Sequence, residues 1–226
     1  MNDLLYNYGY DVFSDNGEDG INEAIFKYLN ITEGVVLEIG AWDGFQSSNC
    51  ANLWSKNKKF KGILVESTSK LNLSLEDEYN NIACFRSLIS IENTLEDVID
   101  ECKFEVDNDN FVLASIDVDG DDLNVARSLG KYKPIIIILE SEGTITSIKE
   151  VIDFSDNLGY QFIGMSGYPG RHMGNLYFVR NDYEDKFDIC KESWKKRGII
   201  LSEGLLYLCF IFSDLVHVVF LDYIIF

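Results

Sequence analysis

Two kinds of apolar spacing alternate along this chain. Short runs rich in Val, Ile, Leu and Phe fall at Val35–Ile39, Gly62–Val65, Ile82–Phe85, Val112–Ile116 and Ile135–Leu139. Runs of this length and composition between polar or glycine-containing segments read as β-strands. Ile135-Ile136-Ile137-Ile138-Leu139 shows no polar alternation, as expected of a central strand covered on both faces. Between the strands the spacing becomes helical. Ile21, Ala24, Ile25, Tyr28 and Leu29 share one face of a helix over Asp19–Leu29, and Glu18 and Asp19 sit at its start, where negative charge is favourable. Further helices fit Ser48–Lys56, Leu71–Tyr79, Thr94–Cys102, Leu123–Leu129 and Ser147–Leu158, and Gly130 and Gly159 follow two of them as C-terminal caps. Phe162–Gly164 and Leu176–Val179 close the series as a hairpin. Such alternation implies an α/β fold with a mostly parallel, doubly wound sheet and helices on both faces. Ligands of these sheets bind outside the carboxyl ends of the strands. Glu38, Glu66, Asp117 and Glu140 each end a predicted strand, so these acids are the first candidates for a site.

Glu38 belongs to the most informative stretch, Val35–Gly44, a strand that breaks into a glycine-bracketed loop. Gly40 and Gly44 allow a sharp turn and a close ligand approach, and Gln46-Ser47-Ser48-Asn49 suits the cap of the next helix. Strand, glycine loop and helix N-terminus open a nucleotide-binding βαβ unit. A dinucleotide fingerprint is G-x-G-x-x-G, whereas this loop is G-x-x-x-G and carries bulky Trp42 and anionic Asp43. Two acids, Glu38 and Asp43, would repel a phosphate and suit a ligand bearing an ammonium and a sulfonium. That describes S-adenosylmethionine. Glu66 follows Gly44 by 22 positions (66 − 44), near the spacing of the acid that takes ribose hydroxyls in nucleotide folds. As a strand-end carboxylate facing an open crevice, Glu66 is expected to contribute little packing.

Charge narrows the partners. The formal net charge is −19 over 226 residues, which disfavours a nucleic-acid substrate, and the basic cluster Lys191–Arg197 reads as a solvated helix end. Five cysteines without a CxxC pair suggest reduced core residues in an intracellular protein. With His172 and His217 as the two histidines, zinc has little support, and no metal ligands are assigned. Met1-Asn2-Asp3-Leu4 lacks the basic flank and apolar run of a signal peptide, so a cytoplasmic location is expected.

A second acidic run, Asp117-Val118-Asp119-Gly120-Asp121-Asp122, follows the fourth strand. An EF-hand is excluded because glycine falls at position four of the run rather than six. Asp117 and Asp119 could hold the metal of a DxD glycosyltransferase, or Asp117 could face the reacting centre of a methyltransferase, while Asp121 and Asp122 read as caps of the next helix. His172, between Arg171 and Met173 in a Gly-rich loop, is an alternative catalytic candidate; its plainer reading is a solvated loop residue.

The segments Phe13–Gly20, Leu37–Gly44, Gly62–Glu66 and Ser115–Gly120, with Gly174–Val179 as a closing strand, resemble in order those of FkbM-type methyltransferases. The resemblance spans Ser14 to Arg180. It implies a Rossmann-like class I methyltransferase sheet of seven strands with one antiparallel strand, and O-methylation of a sugar or other small hydroxylated metabolite. It further implies that Glu38, Gly40, Asp43 and Gly44 form the first cofactor loop, that Glu66 takes the ribose hydroxyls, and that Asp117 lies near the methionine end and the acceptor. Asp15 stands where the family has glutamine, and Glu140-Ser141-Glu142 departs from an acid followed by an aromatic. A non-catalytic cofactor-binding or assembly module keeps the same sheet and is the remaining alternative. The chain divides into an N-terminal segment and first helix (1–30), an α/β domain (31–183), and a helix with an apolar tail (184–226) that is expected to pack on the domain or form an oligomer rather than enter a membrane.

Overall fold

The structure, a computed structural model, describes residues 4–118, 120–140, 156–167 and 174–188, and the backbone of four short strands beyond them. Strands β1 (Gly34–Ile39), β2 (Phe60–Glu66), β3 (Ile82–Arg86), β4 (Phe111–Ile116), β5 (Ile136–Leu139), β6 (Tyr160–Met165) and β7 (Leu176–Arg180) form one sheet in the order β3-β2-β1-β4-β5-β7-β6. β1 to β5 are parallel, and β7 runs antiparallel between β5 and β6. This is the Rossmann-like class I methyltransferase arrangement, α/β and doubly wound, that the element alternation and the resemblance imply. The chain starts at β1, steps outward to β3, then returns to β4 on the other side of β1. The strand order therefore reverses between β1 and β4, where a crevice opens at the carboxyl ends.

The α-helices whose full range is described are α1 (Glu18–Leu29), α2 (Ala51–Lys56), α3 (Leu75–Glu78), α4 (Leu95–Glu101) and α5 (Asp122–Arg127). Alternate strand residues feed two separate cores, as the period of two requires. Val36, Leu64, Ile136 and Ile138 pack with Ile21 and Ile25 of α1 and Trp54 of α2. Val35, Leu37, Ile63, Val65 and Ile137 pack with Val98 and Ile99 of α4 and Val125 and Ala126 of α5. Both sheet faces are covered, which explains why the fifth strand lacks polar positions. The Thr94 hydroxyl accepts from the Asp97 N–H and the Asp97 carboxylate accepts from the Thr94 N–H, a reciprocal cap that fixes the start of α4.

The helix expected over Leu71–Tyr79 is one turn, Leu75–Glu78. Its surroundings account for the loss. Leu71 is fully buried, its carbonyl accepts from the Arg86 guanidinium at 2.8 Å, and the Glu76 carboxylate accepts from the Cys84 N–H at 2.6 Å. Side chains committed to β3 hold this segment in a bent path. The helix expected over Ser147–Leu158 lies outside the described residues except for its last three positions. In the tail, Ile200–Ser202 pairs antiparallel with Leu205–Tyr207, and Ile211–Phe212 with Leu215–Val216. No helix among the described residues is long and apolar enough to cross a membrane.

Candidate cofactor site

The site is built where β1 passes into its loop. Gly40 adopts a φ of +78°, and a Cβ there would penetrate the Asp117 carbonyl oxygen, so only glycine lets the ends of β1 and β4 approach so closely. The Gly40 and Ala41 N–H groups both donate to the Val65 carbonyl, at 3.0 and 3.1 Å, and the Asp117 N–H donates to the Ile39 carbonyl at 3.2 Å. These bonds lace the ends of β1, β2 and β4 into one rim. The Asp43 carboxylate accepts from the Phe45 and Gln46 N–H groups at 2.9 and 2.8 Å and shapes the turn. Gly44 turns the loop at φ +93°, and a Cβ there would press on Leu75, Leu64 and Leu71 of the core below.

Behind the rim lies a buried polar network. Glu38 is 5% exposed, and its two carboxylate oxygens accept from the Ser48 hydroxyl and the Asn49 N–H, each at 2.6 Å. Asn49 Nδ2 donates to the Ser115 hydroxyl at 2.9 Å, and Ser48 Oγ accepts from the Ala51 N–H at 2.9 Å. The polar set before α2 therefore caps the helix through Ser48 and ties it to the sheet through Glu38, which is why α2 starts at Ala51 rather than Ser48. Burial pushes the Glu38 carboxyl up to about 7, against the lowering effect of the bonds from Ser48 and Asn49.

In front of the rim is a cleft of about 470 Å³, lined by Gly40, Trp42 and Ser47 of the first loop, Glu66 and Thr68 after β2, Leu88 and Ile89 after β3, and Asp117, Asp121 and Val125 around the start of α5. That volume falls within the range that holds small cofactors. Its lining is chemically mixed: Leu88, Ile89 and Val125 offer apolar walls suited to a flat base, and Gly40, Ser47 and Asp117 offer backbone, hydroxyl and carboxylate. Glu66 lines it from the end of β2. It is 6% exposed, and its carboxylate accepts from the Trp42 N–H at 3.0 Å and the Thr68 N–H at 2.8 Å. Glu66, expected to face an open crevice and contribute little packing, is instead nearly buried, and its bonds tie two loops together while it lines the cleft. The Ser67 hydroxyl lies 3.4 Å from the oxygen that takes the Thr68 N–H, and the oxygen facing Trp42 has a second lone pair for a ligand hydroxyl.

Of the residues singled out in the sequence, Gly40, Glu66 and Asp117 meet along one cleft. Glu38, Asp43 and Gly44 are not among its lining; they support the loop from within or behind. His172 and Asp119 lie outside the described residues. Asp117, Asp122 and Glu140 present carboxylate oxygens that all lie within 4.8 Å of one another, a hard oxygen set of the kind that takes a magnesium or calcium ion. The Asp122 carboxylate also accepts from the Val118 and Gly120 N–H groups, at 2.8 and 3.3 Å, and so folds the loop ahead of α5 rather than capping the helix itself. Sequence reasoning passed over Ser87-Leu88-Ile89, although their place directly after a predicted strand was the available signal.

No family model matches this chain, and no curated protein matches it. Solved structures similar in chain path include precorrin-6y C5,15-methyltransferase from Geobacter metallireducens (14% identity over 76% of this chain and 90% of that one, TM-score 0.44). The methyltransferase domain of METTL16 shares 13% identity over 73% of this chain and 66% of that one, with a TM-score of 0.49. A SAM-dependent methyltransferase from Aquifex aeolicus shares 15% identity over 70% and 88%, with a TM-score of 0.44.

Proposed function

We propose that the cleft binds S-adenosylmethionine and that the chain is an O-methyltransferase acting on a hydroxyl of a sugar or small metabolite, as its resemblance to FkbM-type methyltransferases implies. The observation that carries this reading is the Glu66 carboxylate, held at the end of β2 in a cleft whose described lining contains acids and no lysine or arginine. Acids without cations suit ribose hydroxyls and a positively charged ligand. They do not suit the diphosphate of a dinucleotide or a sugar nucleotide, which disfavours the glycosyltransferase alternative.

The cofactor supplies an already activated methyl group on a sulfonium. The chain's contribution is then mainly placement, because in-line attack depends on alignment more than on acid–base power. Glu66, after β2, and the apolar Leu88 and Ile89, after the neighbouring β3, would hold the nucleoside. Asp117, on the lining of the same cleft at the end of β4, would orient the acceptor hydroxyl and take its proton as the methyl group is transferred. Transfer of labelled methyl groups from S-adenosylmethionine into cell-extract metabolites, followed by product mass analysis, tests the reaction. A product gaining one methyl on oxygen, lost in Asp117→Asn with cofactor binding retained, is the expected result. Cofactor binding without transfer to any acceptor would favour the non-catalytic module.

A further inference from the structure

Trp42 stands where this chain can least easily place it. Its φ is +48°, a left-handed conformation that costs a bulky side chain strain and that glycine or asparagine takes more readily. Among the described residues two other non-glycine residues share that region. Asn30 caps the end of α1 in the ordinary way, but Ser47 at φ +57° belongs, like Trp42, to the first loop and the cleft. Non-glycine strain on a ligand-lining loop persists only where its surroundings hold it. The holders are visible: the Trp42 N–H donates to Glu66, and the Lys70 ammonium lies 4.7 Å from the centre of the indole ring. The residue remains 42% exposed, so core burial does not account for its presence.

Its position in the loop gives it a meaning. Gly40-Ala41-Trp42 aligns with the first three positions of a dinucleotide loop, whose second glycine lets the backbone reach a pyrophosphate. Here the largest side chain replaces that glycine, at the lip of the cleft and bonded to the acid proposed to hold the ribose. We infer that Trp42 is the specificity-determining wall of the site: it packs against a single-nucleoside cofactor and fills the space a dinucleotide pyrophosphate needs. This inference rests on the cofactor reading above.

Calorimetric titration of wild type, Trp42→Gly, Trp42→Asn and Trp42→Phe with S-adenosylmethionine and with NAD tests it, alongside thermal melts. Glycine and asparagine both tolerate the left-handed backbone, so these two variants should melt no lower than wild type. Both should bind S-adenosylmethionine at least about ten-fold more weakly, with the preference for it over NAD narrowed by a similar factor. Trp42→Phe, which keeps an aromatic wall, should stay within about three-fold of wild type. Trp42→Gly and Trp42→Asn binding as wild type does, with an unchanged preference, would overturn the inference while leaving the cofactor reading intact. Failure of wild type itself to bind S-adenosylmethionine would overturn the cofactor reading, and the wall with it.

Discussion

Two acidic pairs occupy the carboxyl side of this sheet. At the cleft, Glu66 and Asp117 line open space. At the N-terminal loop, Glu18 and Asp19 are each 1% exposed, and their bonds go to protein donors. Asp19 Oδ2 accepts from the N–H groups of Val12, Phe13 and Ser14 at 2.7, 2.7 and 2.9 Å, and from the Ser14 hydroxyl at 3.0 Å. Glu18 accepts from the Asn16 N–H, the Ser166 hydroxyl and Asn175 Nδ2, and so clasps the N-terminal loop onto β6 and the approach to β7. A buried carboxylate is tolerated where donors converge on it. The clasp holds a fold element in place, whereas the cleft sets its two carboxylates along a space large enough for a ligand. In a chain of net charge −19 the count of acids therefore says little; the supply of nearby donors decides what each acid does.

Asp19→Ala is the strongest way to break this contrast. It removes the acceptor for three backbone N–H groups and a hydroxyl, and should cost about 3 kcal/mol or more, since each buried polar group left unpaired costs about 1–3 kcal/mol. Urea unfolding at a matched slope measures it. A loss below about 1 kcal/mol would mean that water replaces the carboxylate and the clasp is ornamental.

Glu38 is intermediate between the pairs, buried like the clasp but adjoining the cleft loop. Its carboxyl is raised from 4.5 to about 7, so the folded state binds the proton more tightly than the unfolded chain. The associated stability is fully present below pH 4.5, falls as pH rises, and is gone above pH 7. Glu38→Gln should flatten this component of stability between those pH values, by at most about 3 kcal/mol. Unfolding curves at several pH values check the slope; a variant with the wild-type pH dependence would remove Glu38 as its source.

Ser166→Ala should have the smallest effect. It deletes one hydroxyl that donates to Glu18 and accepts from the Asn175 N–H at 2.9 Å, at a cost of about 1–2 kcal/mol. Cofactor affinity should not change, because Ser166 is fully buried in the clasp and does not line the cleft. Titration of the variant with S-adenosylmethionine checks this, and a weakened affinity would mean that clasp and cleft are coupled.

Much of this was legible in the sequence. All seven main strands fall where short apolar runs place them, because their residues are buried from both faces and leave an unmixed signal. Gly40, Glu66 and Asp117 could be found because the carboxyl edge of a doubly wound sheet is a defined place along the chain. The one-turn α3 and the functions of Glu18, Asp19 and Asp43 were not legible. Their bonds go to backbone N–H groups and polar side chains brought close only by loop geometry, and hydrophobic spacing carries no record of those partners. Glu18 and Asp19 read as first-turn acids of α1, which they are, but the clasp depends on Ser166 and Asn175 far along the chain.

The account turns on Glu66 as the acid that meets the ligand, and one measurement addresses it directly. Glu66→Gln keeps the shape and an oxygen for the Trp42 N–H while removing the charge, at the cost of the acceptor for the Thr68 N–H. Calorimetric titration with S-adenosylmethionine, after thermal melts show both proteins folded, should give a dissociation constant about ten-fold or more above wild type, because hydrogen bonds to a charged acceptor are worth about 1.5–3 kcal/mol. A Glu66→Gln affinity within about two-fold of a wild type that binds the cofactor would contradict the claim.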